Sequence, residues 1–565
     1  MKVLVIGGVA GGASAAARIR RLDEFAEIII FEKGPHVSFS NCCLPYFLDR
    51  TIAESERLLM MTPEKFSAQY NIDVRTESEV IKINRNEKKI TVRKSDGTEY
   101  EEGYDRLVLS PGGRAIRPAA IPGIDRENVF TVRNVVDIRA LDNYARGHQI
   151  KNVAVIGGGF IGCEVAESFK NAGINVALVE KADQIMPPFD YDMAQILHKE
   201  MLMNHIDLVL GDGLQSIEED HLVLESGKTV PADVVVLAIG VIPETGLARD
   251  AGLEIGETGG IKVSHNYRTS DKSIYAVGDA IEVFNSVSHK PMKLALAYPA
   301  QMEARAAADA ICGLEVDNRG FIGSSVVRIF NLYGASTGLN EKQAKANGFS
   351  YRYVSLVAKD KVKIMPNVAP IFLKVLFEVP TGKILGAQAV SKNSADRRID
   401  VIAAVISMGG TLADLKNLEL CYAPVVGNAK DIVNMAGLVG LNMLNEKIDY
   451  VHVTNARQHV EEGAYILDVR EKREYEGSHL KTAVNIPLSQ MRERYEEIPK
   501  DRPVYIYCLS SARAYTAISN LQQRGFDNLK LCDGSFMGIV NYEYANDILK
   551  GREPIVTSYD IVQPR

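Results

Sequence analysis

The chain opens with a short apolar run, Val3-Leu4-Val5-Ile6, that stops at Gly7-Gly8. Consecutive apolar residues bounded by glycine read as a strand buried on both faces, because a half-exposed strand would alternate. A helix-like stretch from Ala13 to Leu22 follows, and a second run, Ile28-Ile29-Ile30-Phe31, ends at Glu32. The order then repeats. Val153-Ala154-Val155-Ile156 runs into Gly157-Gly158-Gly159, a helix is predicted over Glu164 to Ala172, and Asn175 to Val179 ends at Glu180. Three further runs stop at turn residues: Leu107-Val108-Leu109 before Ser110-Pro111-Gly112, Val234 to Ile239 before Gly240, and Tyr275-Ala276-Val277 before Gly278-Asp279. Strands that alternate with helices in this way predict an α/β chain built on parallel sheets.

The glycines carry the first chemistry. A strand, a glycine turn and a helix bring backbone N–H groups close to a pyrophosphate, and an acid at the end of the next strand binds a ribose hydroxyl. In the second unit Gly157, Gly159 and Gly162 fill all three glycine positions, whereas Val9 replaces the middle glycine of the first. Glu180 would accept from a free 2′-hydroxyl and repel a 2′-phosphate, which favours NADH. The neighbouring Lys181 keeps NADPH open.

At 565 residues the chain is long enough for roughly three or four domains. A net charge of −7 argues against nucleic acid as a partner. Seven cysteines, odd in number and scattered, do not form a secreted disulfide framework and suit a reducing compartment. The first apolar run is too short for a signal peptide and none reaches membrane-spanning length, so a cytoplasmic protein without membrane attachment is expected. Cys42 and Cys43 stand side by side in Ser38-Phe39-Ser40-Asn41-Cys42-Cys43-Leu44-Pro45-Tyr46. A thiol here is either packing or a redox nucleophile, and reactivity needs an electropositive or cofactor-lined setting.

These pieces, in this order, resemble the flavin- and pyridine-nucleotide-dependent disulfide reductases over roughly residues 1 to 445. The resemblance implies FAD held by Gly7, Gly8, Ala10, Gly11, Gly12, Glu32, Lys33, Ser110, Pro111, Gly112, Asp279, Pro299 and Ala300. It implies NAD(P)H held by Gly157, Gly159, Phe160, Ile161, Gly162, Glu180 and Gly240. The helix opening at Ala297-Tyr298-Pro299-Ala300 would turn its positive end to the flavin. With no CxxxxC pair, the Cys42 segment is similar to the single-cysteine branch of coenzyme A-disulfide reductases, NADH peroxidases and NADH oxidases. In the peroxidases and oxidases a histidine stands in the first glycine loop; Ala10 occupies that place, which disfavours oxygen chemistry. By resemblance to the coenzyme A branch, Ser14, Arg18, Arg21, Ser38, Asn41, Cys42 and Lys430 would bind coenzyme A, and Tyr422 would reach the partner's active site. One departure is that Ile364-Met365-Pro366-Asn367 stands where those relatives carry Tyr-Tyr-Pro-Gly, so that tyrosine is missing.

Beyond Asn445 the pattern restarts. Val504-Tyr505-Ile506-Tyr507 runs into Cys508-Leu509-Ser510-Ser511-Ala512-Arg513 and a helix from Ala514. A cysteine that ends a strand before small residues and a helix sits in a cradle of N–H groups, suited to a thiolate or an anion. Together with Asp468-Val469-Arg470 and Gly477-Ser478-His479, this stretch resembles a rhodanese domain, with Cys508 as persulfide carrier and Arg513 closing the ring. Cys532 reads as packing.

The expected architecture is α/β with two nested Rossmann-like domains, an α+β dimerisation domain and a C-terminal α/β rhodanese domain. Residues 1–110 and 243–320 would bind FAD, 111–242 NAD(P)H, 321–445 would dimerise, 446–450 link and 451–565 form the rhodanese unit. The expected activity is NADH-dependent reduction of coenzyme A persulfide, polysulfide or coenzyme A disulfide. The expected cofactors and partners are FAD, NADH or NADPH, coenzyme A and a second copy of the chain, without a metal. Alternatives are an NADH peroxidase or oxidase working through a Cys42 sulfenate, and a redox-sensing docking module.

Overall fold

The computed structural model describes residues 1–445 and 447–561; Glu446, in the expected linker, and the last four residues of the tail lie outside the described part. The chain divides into two compact units, Met1–Lys181 with Asp212–Phe321, and Ala182–Gly211 with Ile322–Arg565.

The first unit holds both nucleotide folds. One parallel sheet runs in the order Ile274–Ala276, Arg106–Leu109, Lys2–Ile6, Glu27–Phe31, Asp73–Arg75. Its central strands are fully enclosed, Val3, Leu4, Val5, Leu107 and Val108 all being 0% exposed, as their unbroken apolar sequence requires. In a second parallel sheet Asn175–Glu180, Asn152–Ile156, Val234–Leu237 and Val129–Thr131 lie side by side. The chain crosses between the two folds at Gly113–Ala115 and Val241–Pro243, which pair antiparallel. Antiparallel strands Ser78–Asn84, Lys89–Lys94 and Glu99–Gly103 form a third, smaller sheet.

The first helix runs Ala10–Leu22 and its counterpart Phe160–Asn171, both starting a few residues earlier than the sequence pattern predicts. The glycine turn is itself the helix entrance, so the N–H groups of the first helical turn are left for a ligand.

The second unit contains an antiparallel sheet ordered Ser325–Ile329, Leu332–Gly338, Ile384–Ser391, Pro370–Glu378, Tyr351–Lys359. Helices Ala395–Ser407 and Ile432–Leu444 accompany it. A parallel sheet follows, ordered Asp449–Val451, Leu529–Cys532, Val504–Tyr507, Tyr465–Asp468, Val484–Asn485. Its helix Ser535–Lys550 packs on helix Tyr191–Met203, with Tyr191 donating to Asn546 at 2.7 Å and Lys199 to Asn541 at 3.2 Å. Cys532 is buried among apolar residues.

A charge cluster fastens the antiparallel sheet to residues 182–211. Lys374 is 0% exposed, and its ammonium meets Asp190 at 3.2 Å, Asp192 at 2.8 Å and Glu341 at 2.6 Å. It also lies 4.0 Å from the centre of the Tyr353 ring. Burial pulls this ammonium down, but Asp192, Asp190, Tyr353 and Glu341 together hold it well above its ordinary range. The three carboxylates lie close enough together to ligate a cation, yet the chain's own lysine already pairs with each of them. No helix among the described residues is long and apolar enough to cross a membrane.

Replacing Lys374 with Met leaves three carboxylates without their counter-charge, so a loss of about 3–5 kcal/mol is expected for this unit. Because the chain has no tryptophan, unfolding is followed by circular dichroism. The loss should be larger at pH 8 than at pH 5, where the acids can take up protons.

Candidate active sites on two units

The first glycine loop is shaped for close backbone approach. Gly7 has φ 91°, and a β-carbon there would stand 2.1 Å from the Ser110 carbonyl oxygen. Gly12 faces the Gly7 carbonyl, where a β-carbon would come within 1.8 Å. Val9, the departure from the three-glycine pattern, has φ −101°, outside the left-handed region that calls for glycine. The matching Gly159 likewise has φ −79° and open space beside it.

Neither helix entrance carries a side-chain cap or an acid in its first turn. The N–H groups of Ala10, Gly11 and Gly12, and of Phe160, Ile161 and Gly162, therefore suit phosphate oxygens. The two acids are fixed alike. Glu32 accepts from Gly8 N–H and Gly34 N–H, each at 3.0 Å, and Glu180 accepts from Gly158 N–H at 2.6 Å. A carboxylate anchored at the mouth of each glycine loop fits an adenosine ribose, so the residues present suit a flavin and a nicotinamide dinucleotide. Lys181 pairs with Glu225 at 2.7 Å, which gives its cation a partner inside the chain. Lys33 and Gly240 are exposed, and Gly240 has φ 104° at the crossing between the folds.

Cys42 lies in a single 3-10 turn, Asn41–Cys43, whose residues are not fully buried. All seven cysteines are free thiols. Desolvation pushes the Cys42 thiol up, and Glu164, Cys43 and Asp279 push it further; Arg133 acts the other way. Arg133 also donates to Asp279 at 2.7 Å and to the Gly113 carbonyl at 2.9 Å. Tyr46 donates to Glu164 at 3.4 Å. Arg133 and Glu164 thus set the charge around this sulfur, and no spacing or motif marked them.

Asp279 follows Gly278, and Glu303 supports the same turn by accepting Gly278 N–H at 2.6 Å. Glu303 belongs to helix Ala297–Ile311, whose first turn contains Tyr298, Pro299 and Ala300 and no acid. Burial raises its carboxyl to about 8, with Asp279 adding to the effect.

Of the residues assigned to coenzyme A, Ser14, Ser38 and Asn41 are partly exposed. Arg18 is held by Asp309 at 2.7 Å, whereas Arg21 is exposed and lies 5.6 Å from the centre of the Tyr70 ring. Tyr422 and Lys430 belong to the second unit and are exposed. Arg397 pins their loop by donating to the carbonyls of Cys421 at 3.0 Å and Val426 at 3.1 Å. Asn367 has φ 56°, a left-handed conformation that glycine adopts freely.

A second thiol site lies in the C-terminal sheet. Cys508 follows strand Val504–Tyr507 and is 1% exposed. Helix Ala512–Gln522 begins within its loop, two residues ahead of the expected start. Arg513 does not point free. Both its terminal nitrogens meet the Glu474 carboxylate, at 2.6 and 2.7 Å. Asp468 holds the fully buried Arg470, whose Nη2 also donates to the Ser478 carbonyl, and the guanidinium lies 4.1 Å from the centre of the Phe536 ring. Cations clamped by carboxylates and a thiol at a helix entrance make a rigid anion-tolerant cradle.

Two nested nucleotide folds with a free thiol, followed by this second cradle, define a flavin-dependent disulfide reductase joined to a sulfurtransferase-like domain. Residues 1–304 match the family described as pyridine nucleotide-disulphide oxidoreductase, residues 325–431 its dimerisation domain, and residues 452–542 the rhodanese-like domain. The chain belongs to the pyridine nucleotide-disulphide oxidoreductases. It is 33% identical over 438 residues to the coenzyme A disulfide reductase of Staphylococcus aureus strain JH9, covering 77% of this chain and 99% of that one. It is similar to the reduced Bacillus anthracis CoADR-RHD, with TM-score 0.93 and 43% identity over 96% of this chain and 98% of that one. It also resembles an NAD-dependent persulfide reductase from A. fulgidus, with TM-score 0.91 and 33% identity over 95% and 100% of the two chains.

Glu303 yields a test of the flavin-side turn. Its folded value of about 8 stands above the ordinary 4.5, so the buried carboxyl favours folding while protonated and opposes it increasingly as pH rises from 4.5 to 8. Glu303→Gln keeps an acceptor for Gly278 and removes the charge. Thermal melts of the variant should exceed the parent by a few degrees at pH 9 and coincide with it at pH 5.

Proposed function

We propose that the chain is an NADH-dependent reductase of coenzyme A persulfide, polysulfide or coenzyme A disulfide, with Cys42 as redox nucleophile and Cys508 as persulfide carrier. The observation that carries this reading is the second thiol: Cys508 sits at a helix entrance beside a clamped arginine, in the same chain as a free Cys42. A reductase of S–S bonds and a carrier of sulfane sulfur share a substrate class. The similarity to a coenzyme A disulfide reductase over 77% of the chain, and to CoADR-RHD and a persulfide reductase over 96% and 95% of it, supports this reading.

In this reading residues 1–110 and 243–320 hold FAD, 111–242 hold the nicotinamide nucleotide, 321–445 dimerise, 446–450 link and 451–565 carry sulfur. FAD and NADH supply two electrons when bound. Cys42 thiolate attacks the outer sulfur of CoA–S–SH, giving Cys42–S–SH and CoA–S⁻; two electrons then return Cys42–S⁻ and release HS⁻. With coenzyme A disulfide the same attack gives the mixed disulfide Cys42–S–S–CoA and CoA–S⁻, and two electrons with one proton restore the thiolate and CoA–SH.

Arg133, the cation beside Cys42, assists the thiolate against Glu164. Tyr422 of the partner subunit supports the departing thiolate, and Lys430 of the partner subunit meets a coenzyme A phosphate. Glu180 selects NADH, and the engagement of Lys181 by Glu225 strengthens that preference. Free cysteines throughout suit a cytoplasmic setting.

Cys42→Ser should lower NADH consumption with coenzyme A disulfide by more than about a hundredfold. Undiminished turnover would sink the reading. Intact-mass analysis of the native protein should show one coenzyme A equivalent released by reduction, and none on Cys42→Ser. For the carrier role a point change is the cleaner test, since deleting 451–565 would bare helix Tyr191–Met203. Cys508→Ser should keep the Cys42 reaction and lose sulfur labelling of its own peptide.

A further inference from the structure

Two serines flank Cys508, and both hold backbone conformations that cost a residue with a β-carbon energy and that glycine adopts freely. Ser511 has φ 76° and Ser535 has φ 49°. Immediately before Ser535 the chain uses Gly534 at φ 60°. At Ser535 a side chain is retained despite the strain, and that side chain is 0% exposed; Ser511 is 8% exposed.

The hydroxyls account for their retention. Ser511 donates to Ser535 Oγ at 3.3 Å. Ser535 Oγ accepts the Cys508 backbone N–H at 3.3 Å, lies 3.2 Å from the Cys532 carbonyl oxygen and 4.0 Å from Cys508 Sγ. The first N–H groups of helix Ser535–Lys550 are spent on the loop's carbonyls, Phe536 on Cys508 at 3.0 Å and Met537 on Leu509 at 3.1 Å. Ser535 is therefore the donor this helix start turns toward the sulfur. Its single proton has two acceptors within reach, the Cys532 carbonyl and Sγ.

We infer that the Ser535 hydroxyl swings between the Cys532 carbonyl and Cys508 Sγ, holding the negative charge of the thiolate, with Ser511 as the positioning residue behind it. The inference rests on the sulfur-carrier reading of Cys508. In the step it serves, Cys508–S⁻ attacks the outer sulfur of R–S–SH, the S–S bond to R breaks, and Cys508–S–SH and R–S⁻ result. No electrons enter, one negative charge moves from Cys508 to the leaving thiolate, and the Ser535 proton stays on oxygen throughout.

The test uses the full-length protein with inorganic polysulfide as sulfur donor. Peptide mass spectrometry follows the rate of sulfur addition at Cys508 from pH 5 to 9. Losing a hydrogen bond to a charged sulfur should slow Ser535→Ala about tenfold at pH 7. The acid limb of its pH–rate profile should move up by about one unit, so that the gap narrows as pH rises. Ser535→Gly should show the same kinetic defect with the backbone strain relieved; it decides the matter if the alanine variant does not fold. Ser511→Ala should shift the profile in the same direction by less. Parent-like profiles in both Ser535 variants overturn the inference alone. A parent protein that takes up no sulfur at Cys508 overturns the carrier reading and the inference together.

Discussion

Strand register is the constraint on which these sites depend. In the first sheet Ile6 stands level with Phe31 and Leu109, and Leu109 with Ala276. The next residues along each strand are Gly7, Glu32, Ser110 and Val277, so the glycine turn, the ribose acid and the approach to Asp279 emerge at one edge. In the second sheet Ile156 stands level with Val179 and Leu237, which delivers Gly157, Glu180 and Ala238 together. In the C-terminal sheet Asp468 stands level with Tyr507, so Val469 and Cys508 leave the sheet side by side, with Arg470 one residue further on. A parallel sheet brings all its strand ends to one edge, and chemistry gathers there. A slip of one residue in any of these pairings would turn the acid or the thiol to the wrong face.

Much of this was legible because it is local. The glycine turns, Glu32, Glu180 and the Cys508 loop are each defined within about 30 residues, and apolar runs fix where each strand ends. Val9 broke the motif on paper but not in the fold, since the backbone there is not left-handed. The parts that could not be read are long-range pairs. Arg133 meets Asp279 across 146 positions, and Lys374 meets Asp192 across 182. Glu474 clamps Arg513 from a separate helix, and Glu303 reaches Gly278 from the following one. A single charged residue on a helix looks like solvated surface until its partner is known. The grouping of Ala182–Gly211 with the second unit was hidden for the same reason, because it rests on Lys374 and on helix packing rather than on sequence continuity.

The two thiols stand in different electrostatic settings. Cys42 lies in a turn near both signs of charge, with Glu164 and Asp279 opposing ionisation and Arg133 favouring it. Cys508 is enclosed, with carboxylates already committed to the arginines around it. His452 joins the second setting to the antiparallel sheet. Its ring stacks on Tyr353 at 4.0 Å and bonds Asp533 at 2.6 Å, and Asp533 precedes the Gly534-Ser535 turn under Cys508. Burial alone would lower that imidazole, but the Asp533 contact raises it overall.

The seam between helices Tyr191–Met203 and Ser535–Lys550 bears on how such a chain can change over evolutionary time. An appended domain that merely trailed from a linker would be free to diverge, be lost or be exchanged for another. Here each helix of the seam relies on the other to keep one of its faces from water. Residues on the two sides of the seam share a fate: a change on one helix must be answered on the other.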